Sequence, residues 1–163
     1  MIKELEQYDF PYAVRVIKDS FQTVADDMGL TEENCPRYVG FVTCLERLQT
    51  AYEWGWWMYG LWQEEQIIGY VAISCEADYV YELHNLAVLP AFRHRGYGKQ
   101  LLAFCVAEIK KAGGDKVIVS IIEENERLKQ WYEAYGFVSV GTKKYEHLPF
   151  TSGYLELEIN NGN

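Results

Sequence analysis

One stretch constrains this chain more than any other, residues 81–102. The run Tyr81-Glu82-Leu83-His84-Asn85-Leu86-Ala87-Val88 reads as a strand and ends at Leu89-Pro90, and Gln100-Leu101-Leu102 begins an apolar helical stripe. Between them stands Arg93-His94-Arg95-Gly96-Tyr97-Gly98-Lys99. A strand that passes through a basic glycine loop into a helix leaves the N–H groups of the loop and first turn without intrahelical partners. They lie at the positive end of the helix dipole, which suits a phosphate. The charge distribution agrees. The chain carries 15 Lys and Arg against 24 Asp and Glu, a formal net charge of −9, yet no acidic residue falls between Glu82 and Glu108. Arg93, Arg95 and Lys99 sit inside that gap.

The rest of the chain supplies a sheet around this stretch. Residues 2–7 are expected to form a short first strand. Pro11 stands where a helix accepts its first proline, and Val14, Ile17, Phe21 and Val24 recur at helical spacing until Asp26-Asp27-Met28-Gly29. Thr31 to Pro36 reads as a turn, and a second helix is expected with Phe41, Leu45 and Leu48 on one face. Met58 to Trp62 and Ile67 to Ser74 form a hairpin about Gln63-Glu64-Glu65-Gln66, and Asp78 marks the next turn. Leu101, Leu102, Cys105 and Ile109 make one helical stripe, stopped by Gly113-Gly114. Lys116 to Ile122 is nearly all apolar, as in a strand buried on both faces. Asn125 caps a helix carrying Leu128, Trp131, Tyr132 and Tyr135, closed by Gly136. Phe137 to Tyr145 and Tyr154 to Ile159 are the last strands, flanking a turn at His147-Leu148-Pro149-Phe150, with Leu155, Leu157 and Ile159 alternating with Glu156 and Glu158.

The predicted order is β-α-α-β-β-β-α-β-α-β-β, an α/β (α+β) fold in one domain over residues 1–163. The strand–helix–strand piece from 79 to 122 is expected to be a parallel, right-handed crossover. An apolar fraction of 49% excludes disorder, and no run is long enough to span a membrane. The N-terminus carries no apolar signal region. Cys35, Cys44, Cys75 and Cys105 are widely spread without C-x-x-C pairing, so neither zinc nor a disulfide framework is expected, and the chain reads as cytoplasmic. The acidity argues against nucleic acid and anionic membranes and favours a cationic partner, although acidity also serves solubility alone. The aromatics Tyr52, Trp54, Trp56, Trp57, Tyr59 and Trp62 either fill core or line an acceptor pocket.

Two nucleotide loops are excluded by spacing. A P-loop needs Ser or Thr after Lys99, where Gln100 stands, and a dinucleotide fold needs a third glycine after Gly96 and Gly98. What remains, Arg93-His94-Arg95-Gly96-Tyr97-Gly98, resembles the Q/R-x-x-G-x-G/A pyrophosphate loop of the GNAT superfamily of N-acetyltransferases. Asn125, Tyr132, Glu133, Gly136 and Phe137 are similar to that family's N-(x)6-Y-E-x-x-G-F segment. The likeness covers roughly residues 55–159, and the N-terminal third only in outline.

The resemblance implies a single GNAT-like mixed, mostly antiparallel sheet of about seven strands with about four helices, its central parallel strands splayed. It implies acetyl-CoA as acyl donor and no metal. The amides of His94, Arg95, Gly96, Tyr97, Gly98 and Lys99 would hold the diphosphate. Arg93 and Arg95 either add charge-assisted contacts or are simply solvated. The backbone of Leu86, Ala87 and Val88 would pair with the pantetheine arm. Asn125 would contact that arm, unless capping alone explains it. Glu82 falls where several members of the family carry a general base, with His84 in reserve, and a bulge there would change which residues share a face. Tyr132 matches the tyrosine that protonates the departing thiolate.

The implied reaction is direct acetyl transfer to a primary amine of a small molecule, peptide or protein. A catalytically weak acyl-CoA-binding sensor or interaction module is the alternative. A nucleic-acid binder using the Arg93–Lys99 patch is a more distant one, set against the charge. Nothing in the residues decides between a monomer and a homodimer.

Overall fold

The computed structural model describes residues 1–159, so residues 160–163 of the expected domain lie outside the described residues. Its strands are β1 (Ile2–Glu4), β2 (Trp57–Gln63), β3 (Gln66–Ala77), β4 (Val80–Val88), β5 (Lys116–Ile122), β6 (Val138–Lys144) and β7 (Thr151–Glu158). Its helices are α1 (Phe10–Met28), α2 (Val39–Val42), α3 (Leu45–Glu53), α4 (Tyr97–Lys111) and α5 (Glu126–Tyr135). The strands form one sheet in the order β1-β2-β3-β4-β5-β7-β6. The pairs β1/β2, β2/β3, β5/β7 and β6/β7 are antiparallel, whereas β4 and β5 are parallel. The parallel register pairs Val80 with Lys116, Tyr81 with Val117 and Glu82 with Ile118.

By packing, the chain divides into two compact units, Met1–Ser74 with Leu83–Cys105, and Cys75–Glu82 with the chain from Val106 onward. The first unit holds a core of Leu5, Phe10, Ala13, Val16, Ile17, Leu48, Ala51, Met58, Ile67, Tyr70, Ala72 and Ala87. Pro11 lies in the first turn of α1, and Gly29 ends the helix with φ 68°, a left-handed conformation that glycine adopts without strain. The buried face of α1 runs through Phe10, Ala13, Ile17 and Ser20, with Val14 and Phe21 only at its flank. The expected second helix is two. Thr43 and Cys44 take extended backbone between α2 and α3, and the Thr43 hydroxyl bonds back to the Val39 carbonyl. Local side-chain bonding of this kind competes with helix continuation. Leu45 consequently lies exposed at the start of α3, while Leu48 is buried.

The hairpin of β2 and β3 closes at Gln63↔Gln66 around Glu64, which has φ 57°. The aromatic cluster fills the core only in part: Trp56 and Trp62 pack partly buried against it. Along β2 Met58 and Leu61 are buried, on opposite faces of the strand, and Trp57, Tyr59 and Trp62 stay half-exposed. Trp54 is 71% exposed and Tyr52 45%.

In the second unit Val117, Val119, Ile121 and Ile122 of β5 are buried, but Ser120 is exposed and Ile118 half-exposed. The strand is therefore not covered on both faces, as its apolar run suggested; the alternation of Val117 and Val119 with Ile118 and Ser120 decides which residues face in. Ile109, Tyr132, Phe137, Leu155 and Ile159 are buried as well. β6 lies at the sheet edge with every residue exposed, and its pairing with β7 is irregular between Ser139 and Gly141.

Candidate active site

The loop of the first unit is built by the end of β4 and the start of α4. Pro90–Phe92 forms one short 3-10 turn after the strand. Arg93 has φ −71°, His94 φ 65° and Gly96 φ 84°, with Arg95 on the negative side. The helix begins at Tyr97, and its first backbone bond runs from Gln100 N–H to the Gly96 carbonyl at 3.0 Å. The amides of Tyr97, Gly98 and Lys99 thus precede the helical ladder. A Cβ placed on Gly96 would meet no atom within 4 Å, so an approaching ligand has room there. Donors, open space and local positive charge fit a diphosphate.

The side chains of the loop divide into two groups. Arg95 is exposed, with its guanidinium 5.5 Å from the centroid of the Phe92 ring, and Lys99 is exposed as well. The Tyr97 hydroxyl donates to Gln63 Oε1 at 2.9 Å, which ties the start of α4 to the β2–β3 hairpin. Arg93 turns inward. Its Nε donates to the Val88 carbonyl at 3.1 Å, Nη1 to Thr23 Oγ1 at 2.8 Å and Nη2 to the Ser20 carbonyl at 2.8 Å. The expected alternatives for Arg93 were a phosphate contact and a solvated side chain; its guanidinium instead bonds to α1 and to β4.

Among the predicted pantetheine-binding residues, Ala87 is buried and Leu86 and Val88 are half-buried, and the Val88 carbonyl already accepts from Arg93. Asn85, inside β4, has φ 55°. His84 lies before it, stacked on Trp56 with ring centroids 4.0 Å apart, and its Nε2 is 2.7 Å from Ser74 Oγ.

The second unit holds the two predicted catalytic residues. Glu82 is half-buried, and its pKa is raised to about 7. Burial is the main cause, followed by a hydrogen bond with Glu76 and the charge of that same carboxyl. Tyr154 feels the charge of Glu82, and the Tyr154 and Tyr145 hydroxyls are 2.9 Å apart. That hydrogen bond, and burial after it, raise the Tyr154 pKa. Glu76, Tyr145 and Tyr154 were missing from the predicted site. Glu76 was legible in principle, since Glu76 and Glu82 stand three residues either side of the turn residue Tyr79. Antiparallel pairing about such a turn brings equidistant residues together. Tyr132 is buried, with ring contacts to Trp131 at 5.0 Å and Phe137 at 5.2 Å. Asn125 Oδ1 accepts the Leu128 N–H at 3.3 Å, so its capping role is present. A half-buried carboxyl titrating near neutrality is chemically suited to exchange a proton with an amine.

The sequence model of the acetyltransferase (GNAT) domain matches residues 56–139, just over half of the chain. The chain belongs to the GNAT family. The match takes in the loop, Glu82 and Tyr132. A curated relative, the ribosomal protein bS18-alanine N-acetyltransferase of Haemophilus influenzae, is 31% identical over 94 residues, 58% of this chain and 62% of the relative. The corresponding enzyme of Haemophilus ducreyi is 27% identical over 94 residues, 58% of this chain and 63% of its own. The chain thus spans less than two thirds of each of these GNAT relatives. The PaiA N-acetyltransferase of Thermoplasma acidophilum, solved in complex with coenzyme A, superposes with a TM-score of 0.82 at 18% identity and covers 98% of both chains. The ribosomal-protein-S18-alanine N-acetyltransferase of Escherichia coli superposes at 0.78 with 17% identity, over 98% of this chain and 93% of that one. At such identities the superpositions establish the shared fold.

Proposed function

We propose that this protein is an acetyl-CoA-dependent N-acetyltransferase that moves an acetyl group directly to a primary amine of a protein, peptide or small molecule. The observation that carries the reading is the loop at residues 93–99. Left-handed backbone at His94 and Gly96 leads there into the first-turn amides that precede the helical ladder, inside the acid-free segment of an acidic chain. In this reading the amides of residues 94–99 hold the diphosphate, with Arg95 and Lys99 adding charge. The backbone of Leu86, Ala87 and Val88, together with Asn125, lines the pantetheine arm. Acetyl-CoA supplies an activated acyl group as a thioester.

Glu82 takes the proton that an ammonium must lose before its nitrogen bonds to the acyl carbon. A free alkylammonium has a pKa of about 10, so a base titrating near 7 is needed at neutral pH. The Tyr132 hydroxyl donates a proton to the sulfur as the carbon–sulfur bond breaks. The relatives named for bS18 alanine support a protein or peptide acceptor, and the exposed Tyr52 and Trp54 with the net charge of −9 support a cationic one. None of Cys35, Cys44, Cys75 and Cys105 is in a disulfide, which suits a reducing, cytoplasmic setting.

The test is thiol release from acetyl-CoA across a panel of N-terminal peptides, polyamines, amino acids and aminoglycosides. Turnover on one class identifies the acceptor. Thermal stabilisation by acetyl-CoA with no turnover on any member makes the protein an acyl-CoA-binding module instead.

A further inference from the structure

Arg93 opens the glycine loop, yet its side chain faces the protein. Nη1 donates to Thr23 Oγ1 and Nη2 to the Ser20 carbonyl, both at 2.8 Å. The Thr23 hydroxyl donates to that same Ser20 carbonyl at 2.8 Å, which leaves its lone pairs to receive the guanidinium. Arg93, Thr23 and Ser20 therefore close a ring of hydrogen bonds, and the third arm of the guanidinium, Nε, holds the Val88 carbonyl at the end of β4. Asp27, four residues beyond Thr23 on α1, favours the charge that burial opposes. A planar fork bonded to two acceptors on a helix and one on a strand fixes the backbone that follows it. That backbone is Arg93 itself, then left-handed His94 and left-handed Gly96.

We propose that Arg93 is a positioning residue rather than a phosphate ligand: with Thr23 and Ser20 of α1 it forms a latch that sets the shape of the diphosphate loop. Donor affinity is then controlled from α1, at Thr23, a residue that touches no part of the donor. The proposal rests on the reading that residues 94–99 bind the diphosphate of acetyl-CoA. It assigns the charge that meets the phosphates to Arg95, Lys99 and the helix amides alone.

The experiment compares the parent with Thr23→Val and Arg93→Lys. Calorimetry gives the affinity for acetyl-CoA, and kinetics give KM and kcat with acetyl-CoA and with acetyl-pantetheine, which lacks the diphosphate. Valine keeps the shape of threonine and removes only the hydroxyl, and a thermal melt without ligand checks that each variant folds. A latch predicts that Thr23→Val weakens acetyl-CoA about tenfold, the size of one modest hydrogen-bond loss. Its kcat is little changed, and acetyl-pantetheine is used as well as by the parent. Arg93→Lys also binds acetyl-CoA more weakly than the parent, because an ammonium cannot fork to both acceptors.

Parent-like acetyl-CoA affinity in Thr23→Val overturns the proposal. So does parent-like affinity in Arg93→Lys, which is the result expected of a cation that reaches the phosphates directly. An equal loss with acetyl-pantetheine overturns it too, by showing general damage rather than a misplaced loop. A folded parent that does not bind acetyl-CoA overturns the reading of the loop itself, and the latch with it.

Discussion

Glu82 illustrates how far one residue's chemistry depends on where it stands. Burial, Glu76's hydrogen bond and Glu76's charge bring it from an ordinary value of 4.5 to about 7. As the base it must be ionised, so kcat/KM should rise through about pH 7. Glu76→Gln removes the neighbouring charge, and the acid limb of a pH–rate profile should then shift to lower pH. Glu82→Gln should lower activity on the order of a hundredfold near neutrality and recover partly at high pH, where free amine is abundant. Stability follows the same proton. The folded state keeps Glu82 protonated to higher pH than the unfolded chain does, so this contribution is present below about 4.5 and lost as pH rises through about 7. Thermal melts of Glu82→Gln across that window should therefore fall less steeply than the parent's. Tyr132→Phe keeps the ring contacts with Trp131 and Phe137 and deletes the hydroxyl. It should cut kcat on the order of a hundredfold while acetyl-CoA affinity, measured by calorimetry, stays close to the parent's.

At the scale of the element, α5 separates two roles for one residue. Asn125→Ala should cost about 1 kcal/mol by losing the cap to Leu128, whereas Asn125→Asp keeps an acceptor there. If Asn125 also lines the pantetheine arm, Asn125→Asp will show parent-like stability in a melt but weaker acetyl-CoA binding. Periodicity made some elements legible. The stripe of Leu101, Leu102, Cys105 and Ile109 is fully buried on α4, and β5 has the bounds its apolar run suggested. It failed where side chains compete with backbone, as at Thr43, which divides the expected second helix. It failed again where apolar content was taken for two-sided burial, as at Ile118. The glycine loop could be read because its backbone demands glycine at φ 84°. The inward turn of Arg93 could not, since its partners lie 70 and 73 residues away in sequence.

For the molecule as a whole, a ligand that binds only the folded state raises stability by mass action. Acetyl-CoA at a hundred times its Kd should add about 2.7 kcal/mol, roughly a 5–10 °C rise in Tm for a chain of this size. Gly96→Val should remove that shift. Its backbone must remain left-handed at a cost of about 1–2 kcal/mol, and the new side chain occupies the space where a ligand would approach. A parent-like shift in the variant would move the donor site elsewhere. The last strand to join the sheet carries a different consequence. Among the described residues β6 has one flank bonded to β7 and no strand beyond it, with Val138 63% exposed and Val140 53%. Such a margin invites a second chain to add its own strand. Here the irregular stretch between Ser139 and Gly141 breaks the flat template, and Lys143 and Lys144 bring two like charges into any copy-to-copy pairing at its end. β6 is thus a guarded border, one that limits fibril-like growth of a protein whose sheet is otherwise left open on that side.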